Sequence, residues 1–496
     1  MSEFLVPVRD QQFLLATSHR ELLDDPSSVV WTIIDVVDRL DMSEVYRRYR
    51  LGGRPPFDPR MMLALLVFGY SEGRLSSRAL EAACRRDLAY RAICGGLQPD
   101  HATIARFRVR LDDLMEGLFV QVLSQCAAEG LVDLGLLAVD GTKLAGAGSK
   151  EANVTVETAA RDTERIRELL AVARQADLDD PHLNIDGDSD SDTGDSPFGS
   201  DTLDLDVSPD PDAGWSVLRR QRQLERDLDR AQATVQAGID AAQRREADRQ
   251  KKGRKRNGEP VANRTDPESR LQKCGDGGWV QGFNAQAVAT SAQIVVCAEV
   301  VAETTDVGQF EPLLRQTTVN LKQAGVAPAL GVVVADAGYC SAANIGLEPN
   351  PAADVESEEG SVSLDVGMLL IATAKNHKIG GITEIDLDDA SDAQKARHLM
   401  ETRLADPELR AVYRQRGPTI EGVFADTKHN RGITRFSRRG LKACAAEWKL
   451  IHIAANIRKI HSHRQTNTRP GPTAGPCRRV TVRRPHQRLR PLHARY

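Results

Sequence analysis

Two short apolar runs, LGLLAVD at residues 134–140 and the run Leu330–Ala335 followed by Asp336 in VVADAGY, each stop at an aspartate. Apolar runs of this length read as buried strands. In open α/β sheets, ligand sites form beyond the carboxyl ends of strands. If the two strands are central neighbours, Asp140 and Asp336 converge despite their separation in sequence. Side-by-side carboxylates repel unless a cation neutralises them, and Mg2+ favours oxygen ligands while retaining some of its waters. Either aspartate taken alone is as readily a turn or cap residue.

The pattern around these runs predicts an α/β domain. Val280–Ala289 and Gln293–Val301 read as a hairpin, Val307–Ala324 as a helix, Met368–Thr373 as a strand, and Glu408–Lys428 and Leu441–Ile460 as helices. Three antiparallel strands followed by a crossover helix to a parallel strand is the order of a ribonuclease-H-like domain, placed here at 131–160 and 276–460. Residues 161–275 interrupt it. Within that insert, 177–212 is rich in Asp, Ser, Gly and Pro and is expected to be disordered. Residues 215–250 form a helical arm with Leu224, Leu228, Val235 and Ile239 at heptad-like spacing, ending in the basic run KKGRKRNG. Ahead of the sheet, residues 1–127 read as an all-α, helix-turn-helix-like domain. Asp58 caps a helix with Pro59 at its first position, Ser77–Cys84 is a second helix, and Ile104–Cys126 a longer one. Arg106, Arg108 and Arg110 are candidates to face phosphates there. Residues 461–496, rich in Arg and Pro, are expected to be an unfolded basic tail.

Charge alone says little about nucleic acid. The net charge is −4, but 13 Asp lie in 177–212 with no Lys or Arg, and nine Arg lie in 464–496 with no acid. The acidic run DGDSDSD does not fit a calcium loop, because the sixth position from Asp186 is Ser191 and the twelfth is Pro197. The eight cysteines form no Cys-x-x-Cys pair, which points away from zinc or redox chemistry and towards reduced thiols. No apolar run is long enough to cross a membrane. The first residues lack the pattern of a signal peptide, so a cytoplasmic location is expected.

A third carboxylate comes from YRQRGPTIEGVFADTK at 413–428. Its Tyr413, Arg416, Glu421 and Lys428 resemble the Tyr-x-x-Arg, Glu, Lys signature of DDE transposases from insertion sequences of the IS-four and IS-five type. One departure is four residues between Arg and Glu rather than three. The likeness extends through LGGRPPFDPRMMLALLVFGYSEGRLSSRALE, PDHATIARFR, VDGTKLAGAGSKEANVT, GGWVQGFNAQAV and VVADAGYCSAANI, most of residues 50–460 in order. It implies that Asp140, Asp336 and Glu421 bind two Mg2+ ions (Mn2+ suits the same oxygens). It also implies that Arg416, Lys428 and Tyr413 serve the DNA near the cut, and that the enzyme cleaves element ends and joins them to target DNA as a dimer. Asn430, Arg431, Arg435, Arg438 and Arg439 read as a basic surface along the duplex. Asp306 and Glu311 read as structural acids. Two alternatives stay open: an inactive relic that only binds double-stranded DNA, and a stand-alone nuclease of the same fold.

Overall fold

The computed structural model describes residues 18–49, 55–179, 217–252, 259–275, 277–348, 364–374 and 381–468. The acidic stretch after Asp179, the basic run and most of the Arg-rich tail lie outside the described residues.

Eight helices come first: α1 (His19–Leu23), α2 (Val29–Asp38), α3 (Ser43–Arg47), α4 (Pro59–Ser71), α5 (Ser77–Arg86), α6 (Leu88–Cys94), α7 (His101–Leu111) and α8 (Met115–Ala128). Asp58 caps α4, its carboxylate accepting from Arg60 N–H at 2.7 Å, with Pro59 in the first turn. Apart from Arg60, every residue of α4 is buried, as expected of a helix apolar on all sides at the centre of a bundle. The single helix expected over 104–126 is broken by a 3-10 turn at Asp112–Leu114.

The sheet begins with β1 (Leu136–Ala145). A short ribbon of β2 (Asn153–Thr155) and β3 (Val261–Asn263) forms the base of the insert. From it project α9 (Val156–Asp179) and α10 (Val217–Lys252), whose opposite ends meet: Gly238 abuts Val156, and Gln221 donates to the Ala173 carbonyl. On α9 the buried residues Ala159, Thr163, Ile166, Leu170 and Ala173 recur every four and three positions, the spacing of a coiled-coil seam. On α10 the seam differs from the expectation. Ala231, Thr234 and Ala237 are buried while Ile239 is exposed, because small side chains let the two helices approach closely.

Then follow β4 (Arg270–Lys273), β5 (Trp279–Thr290), β6 (Val295–Val301), α11 (Phe310–Gln323), β7 (Leu330–Ala335), α12 (Ala342–Ile345) and β8 (Val366–Ile371). The sheet order is β4-β5-β1-β7-β8, with β6 also on the far edge of β5. β1 is antiparallel to β5 and parallel to β7, and β7 is parallel to β8. The architecture is therefore mixed α/β behind an N-terminal helical region, as the apolar patterning predicts.

The C-terminal part comprises α13 (Asp392–Ala405), α14 (Pro407–Tyr413), α15 (Gly422–Ala425) and α16 (Leu441–Thr468), with π-helical turns at Gly417–Glu421 and Asp426–Asn430 on either side of α15. α16 joins both halves of the molecule. Its Glu447 accepts from the Tyr70 hydroxyl of α4 at 2.8 Å, and its Lys449 lies 2.9 Å from both Glu116 of α8 and Glu299 of β6. The expected unfolded tail starts later than 461. α16 runs to Thr468 because Arg464 is held by Glu129 at 2.6 Å and Asp35 at 2.7 Å.

Candidate active site

Asp336 directly follows the end of β7, but Asp140, expected at a strand end, lies in the middle of β1, which runs on to Ala145 paired with β5; the register nonetheless puts the two aspartates side by side. β1 and β7 run parallel with Val139 opposite Ala335, so Asp140 and Asp336 are the next residues on adjacent strands. Asp140 accepts from Gly141 N–H at 2.8 Å. Asp336 caps the 3-10 turn Ala337–Tyr339, accepting from Gly338 N–H at 2.8 Å. Burial raises the Asp140 carboxyl from its usual 3.8 to about 6; Arg416 pulls it down and Asp336 pushes it up. Burial also raises Asp336, against the Gly338 N–H and Arg416, which favour its charged form. Two neighbouring acids made reluctant to ionise by desolvation call for a positive charge.

Arg416 supplies it. Its Nη1 lies 2.9 Å from Asp140 Oδ2 and its Nη2 lies 3.1 Å from Glu421 Oε1. The side chain is only 10% exposed, while that of Glu421 is 60% exposed. Burial would lower the guanidinium's pKa, but Asp140, Tyr413, Asp336 and Glu421 together raise it. The Tyr413 hydroxyl is buried beside it.

The extra residue between Arg416 and Glu421 has a structural counterpart. In an α-helix, residues five apart point about 140° away from each other. A π turn brings positions five apart into line, as one added residue in an α-helix does. The turn at Gly417–Glu421 thereby aligns Arg416 with Glu421, and the next one, at Asp426–Asn430, aligns Asp426 with Arg431 at 3.0 Å. Beyond them, Lys428 Nζ donates to the Lys143 carbonyl at 3.0 Å, pinning the helix to β1 three residues past Asp140.

Not every basic residue singled out from the sequence faces outward. Arg431 is 5% exposed, donating to the Ile451 carbonyl and Thr427 Oγ1 besides pairing with Asp426, so its charge is spent inside the fold. Arg438 forms a two-pronged pair with Asp112, with Nη2 2.8 Å from Oδ2. Arg108 is buried and donates to the Leu75 carbonyl, Ser77 and Ser437. These three are structural ties and not a DNA-facing surface. Arg110 stacks on Tyr49 at 4.7 Å. Arg435, Arg439 and Asn430 are exposed, and Arg435 lies beside Ala145 at the end of β1.

Asn284 and Gln286, which the sequence reading passed over, gather at Asp306 on the β5 side. Asp306, read as a structural acid, accepts at Oδ1 from Lys143 at 3.1 Å, Asn284 at 2.6 Å and Gln286 at 2.8 Å. Asn284 and Gln286 are fully buried on β5. Gly141 faces Gln286 across the β1–β5 pair, and a β-carbon there would stand 2.3 Å from Gln286 Nε2, so only glycine lets that amide cross the strand. The available signal was the polar pair in FNAQA, alternating within an otherwise apolar strand. Among the described residues, no three His, Cys, Asp or Glu side chains stand together as a ready metal cage; Arg416 occupies the space between Asp140 and Glu421.

Two family matches accompany this geometry. Residues 18–110 match a family described as "Transposase domain (DUF772)", and residues 382–461 match one described as "Transposase DDE domain". No curated protein and no solved structure matches the chain. The first match covers the N-terminal helices and the second carries Arg416, Glu421 and Lys428. Both matches are to transposase domains, and together they support reading the chain as a DNA transposase enzyme of the DDE type.

Proposed function

We propose that Asp140, Asp336 and Glu421 are the catalytic triad of this transposase, carried on a ribonuclease-H-like sheet. The observation that carries the reading is the adjacency of Asp140 and Asp336, with Glu421 tied to Asp140 through one guanidinium. The strand order, with three antiparallel strands and then two parallel to the first, supports the fold assignment. The residues fit a divalent cation: the acids are oxygen donors, two are desolvated, and Arg416 already stands in as a cation between two of them. Mg2+ is the proposed metal and Mn2+ an equivalent; Asp140, Asp336 and Glu421 would hold it as two ions. Such ions polarise a scissile phosphate and make water or a DNA 3′-hydroxyl nucleophilic at neutral pH.

The chain's own groups do the rest. Arg416 neutralises Asp140 and Glu421 in the metal-free protein and turns to backbone phosphate once their charge is otherwise met. Lys428 and Arg435 line the approach to the same centre and position the duplex without reading its sequence, while the buried Tyr413 supports Arg416 from beneath. The N-terminal helices would grip the element ends, of the IS-four or IS-five type, and a homodimer would pair two ends. No described helix is long and apolar enough to cross a membrane, and action in the cytoplasm on nucleoid DNA is part of the proposal.

A nicking assay on DNA carrying the element ends, with Mg2+, tests the triad. Asp336→Ala is expected to abolish cleavage while DNA binding persists. Equal cleavage by the variant would remove Asp336 from the site. Binding without cleavage by the wild-type protein would favour a relic, and cleavage without joined products a stand-alone nuclease.

A further inference from the structure

Glu421 is held less directly than the other two acids. Asp140 and Asp336 each accept a backbone N–H beside the sheet. The Glu421 side chain is 60% exposed and its carboxylate accepts from Arg416. In the function proposed above, Arg416 turns to backbone phosphate once the charge of the acids is met. The placement of Glu421 then depends on the π turn Gly417–Glu421 that carries it.

That turn is gripped from outside by one side chain. Gln293 closes the turn between β5 and β6, and its Nε2 donates to the Pro418 carbonyl at 2.7 Å. The same nitrogen lies against Gly422, where a β-carbon would stand 2.3 Å from it. One amide therefore touches the chain three residues before Glu421 and one residue after it. Its Oε1 accepts from Lys459 Nζ of α16 at 2.6 Å, which fixes the amide's orientation. One turn earlier on α16, Asn456 clamps Val295 at the start of β6, accepting from its N–H and donating to its carbonyl, both at 2.9 Å. The hairpin is thus anchored on the long helix and reaches across to the π turn.

A second observation is independent of these contacts. Gln293 has a φ of 62°, a backbone conformation that suits glycine and is unfavourable for a residue with a β-carbon. Such a residue persists where its surroundings over-determine it. Glycine would make the same turn with less strain, and its N–H could still donate to the Thr290 carbonyl as that of Gln293 does at 2.7 Å. It could not reach Pro418 or Lys459.

We propose that Gln293 is a positioning residue for Glu421, bracing the π turn on both sides of that carboxylate with an amide oriented by Lys459. The proposal rests on the reading of Glu421 as a metal-binding residue.

Mn2+ binding to the full-length protein without DNA, followed by loss of the free-ion signal in electron paramagnetic resonance, tests it. Wild type is compared with Gln293→Gly, Glu421→Gln, the double variant of these two, and Ala292→Gly, which loosens the same turn but keeps the amide. Gln293→Gly is expected to bind Mn2+ roughly tenfold more weakly, with a thermal transition no lower than that of wild type, and Ala292→Gly to bind as wild type does. Glu421→Gln should also bind more weakly, and the double variant no more weakly than Glu421→Gln alone, because the brace acts through that carboxylate. Wild-type affinity in Gln293→Gly beside a weakened Glu421→Gln overturns the brace and leaves Glu421 in the site. Losses that add in the double variant, or an equal loss in Ala292→Gly, overturn it as well. Wild-type affinity in Glu421→Gln brings down the reading of Glu421 and this proposal together. Should Gln293→Gly melt below wild type, Gly422→Ala decides: it keeps Gln293 and only pushes its amide off Pro418, so it must show the same loss, and an undiminished affinity refutes the proposal.

Discussion

Asp140→Asn should make the metal-free protein more stable. The Asp140 carboxyl titrates at about 6 in the folded chain against 3.8 ordinarily, chiefly because it is buried; its side chain is 17% exposed. Below pH 3.8 the acid is protonated in both folded and unfolded chains, and its burial is neutral to stability. Between 3.8 and about 6 the unfolded chain gives up the proton and the folded chain keeps it, so stability falls as pH rises. Above about 6 the full penalty is present, roughly 3 kcal/mol for a shift of this size. Asparagine has the shape of the protonated acid and never incurs the penalty. The variant should therefore gain up to about 3 kcal/mol at pH 8 and about half of that at pH 5. Urea unfolding in the presence of a chelator, at both pH values, measures it. The Arg416 attraction is already contained in the titration, so it does not reverse the sign. A variant less stable than wild type at pH 8 would show that the Arg416–Asp140 pair outweighs desolvation and would refute the reasoning. Mn2+ should restore stability to the wild type and do little for the variant, since a ligand stabilises only the state that binds it.

Arg435→Ala should weaken DNA binding and lower the slope of log affinity against log salt by about one unit, read by fluorescence anisotropy across a salt series. Arg431→Ala should act on stability instead, leaving Asp426 with one fewer partner inside the fold. Arg438→Ala should cost about 3 kcal/mol in urea unfolding, because it strands the largely buried Asp112; an unchanged midpoint would show that water reaches that carboxylate. Deleting the exposed Pro418 should convert the first π turn to α-helix and bring Arg416 and Glu421 four apart, still on one face. Metal-dependent nicking should survive that deletion, whereas inserting an alanine after Gly417 should abolish it by turning Glu421 about 100° away.

How much of this could be seen in the sequence depends on how local each signal was. The adjacency of Asp140 and Asp336 was legible because an apolar run and the acid after it are neighbours in the chain, although β1 continues past Asp140 to Ala145 because its polar half still pairs with β5. Glu421 was legible only through resemblance: by itself it is an acid on an exposed helical turn. Arg108, Arg431 and Arg438 were misread because nothing local distinguishes a buried guanidinium from a solvated one; their partners Ser437, Ile451 and Asp112 come from elsewhere in the chain. Asp306 was read as a structural acid, but its partners were not legible for a related reason. Its position follows from side chains on β1 and β5 that converge only once those strands pair, and a helix-entry aspartate is ordinarily a cap. The π turns left a trace in the sequence, as one residue too many, but spacing alone does not say how a helix absorbs it.

The way α16 is shared has a consequence for synthesis. Tyr70 of the most buried helix in the N-terminal bundle bonds to Glu447, and Asp35 and Glu129 both wait for Arg464. While the ribosome is still translating the sheet, the bundle has an open flank, because the helix that covers it is the last described element to emerge. An interrupted translation product would therefore expose apolar surface and be prone to aggregation and proteolysis. Closure of the bundle therefore comes after the last strand, β8, has been made, so a half-made chain able to grip DNA but not to cut it should not accumulate.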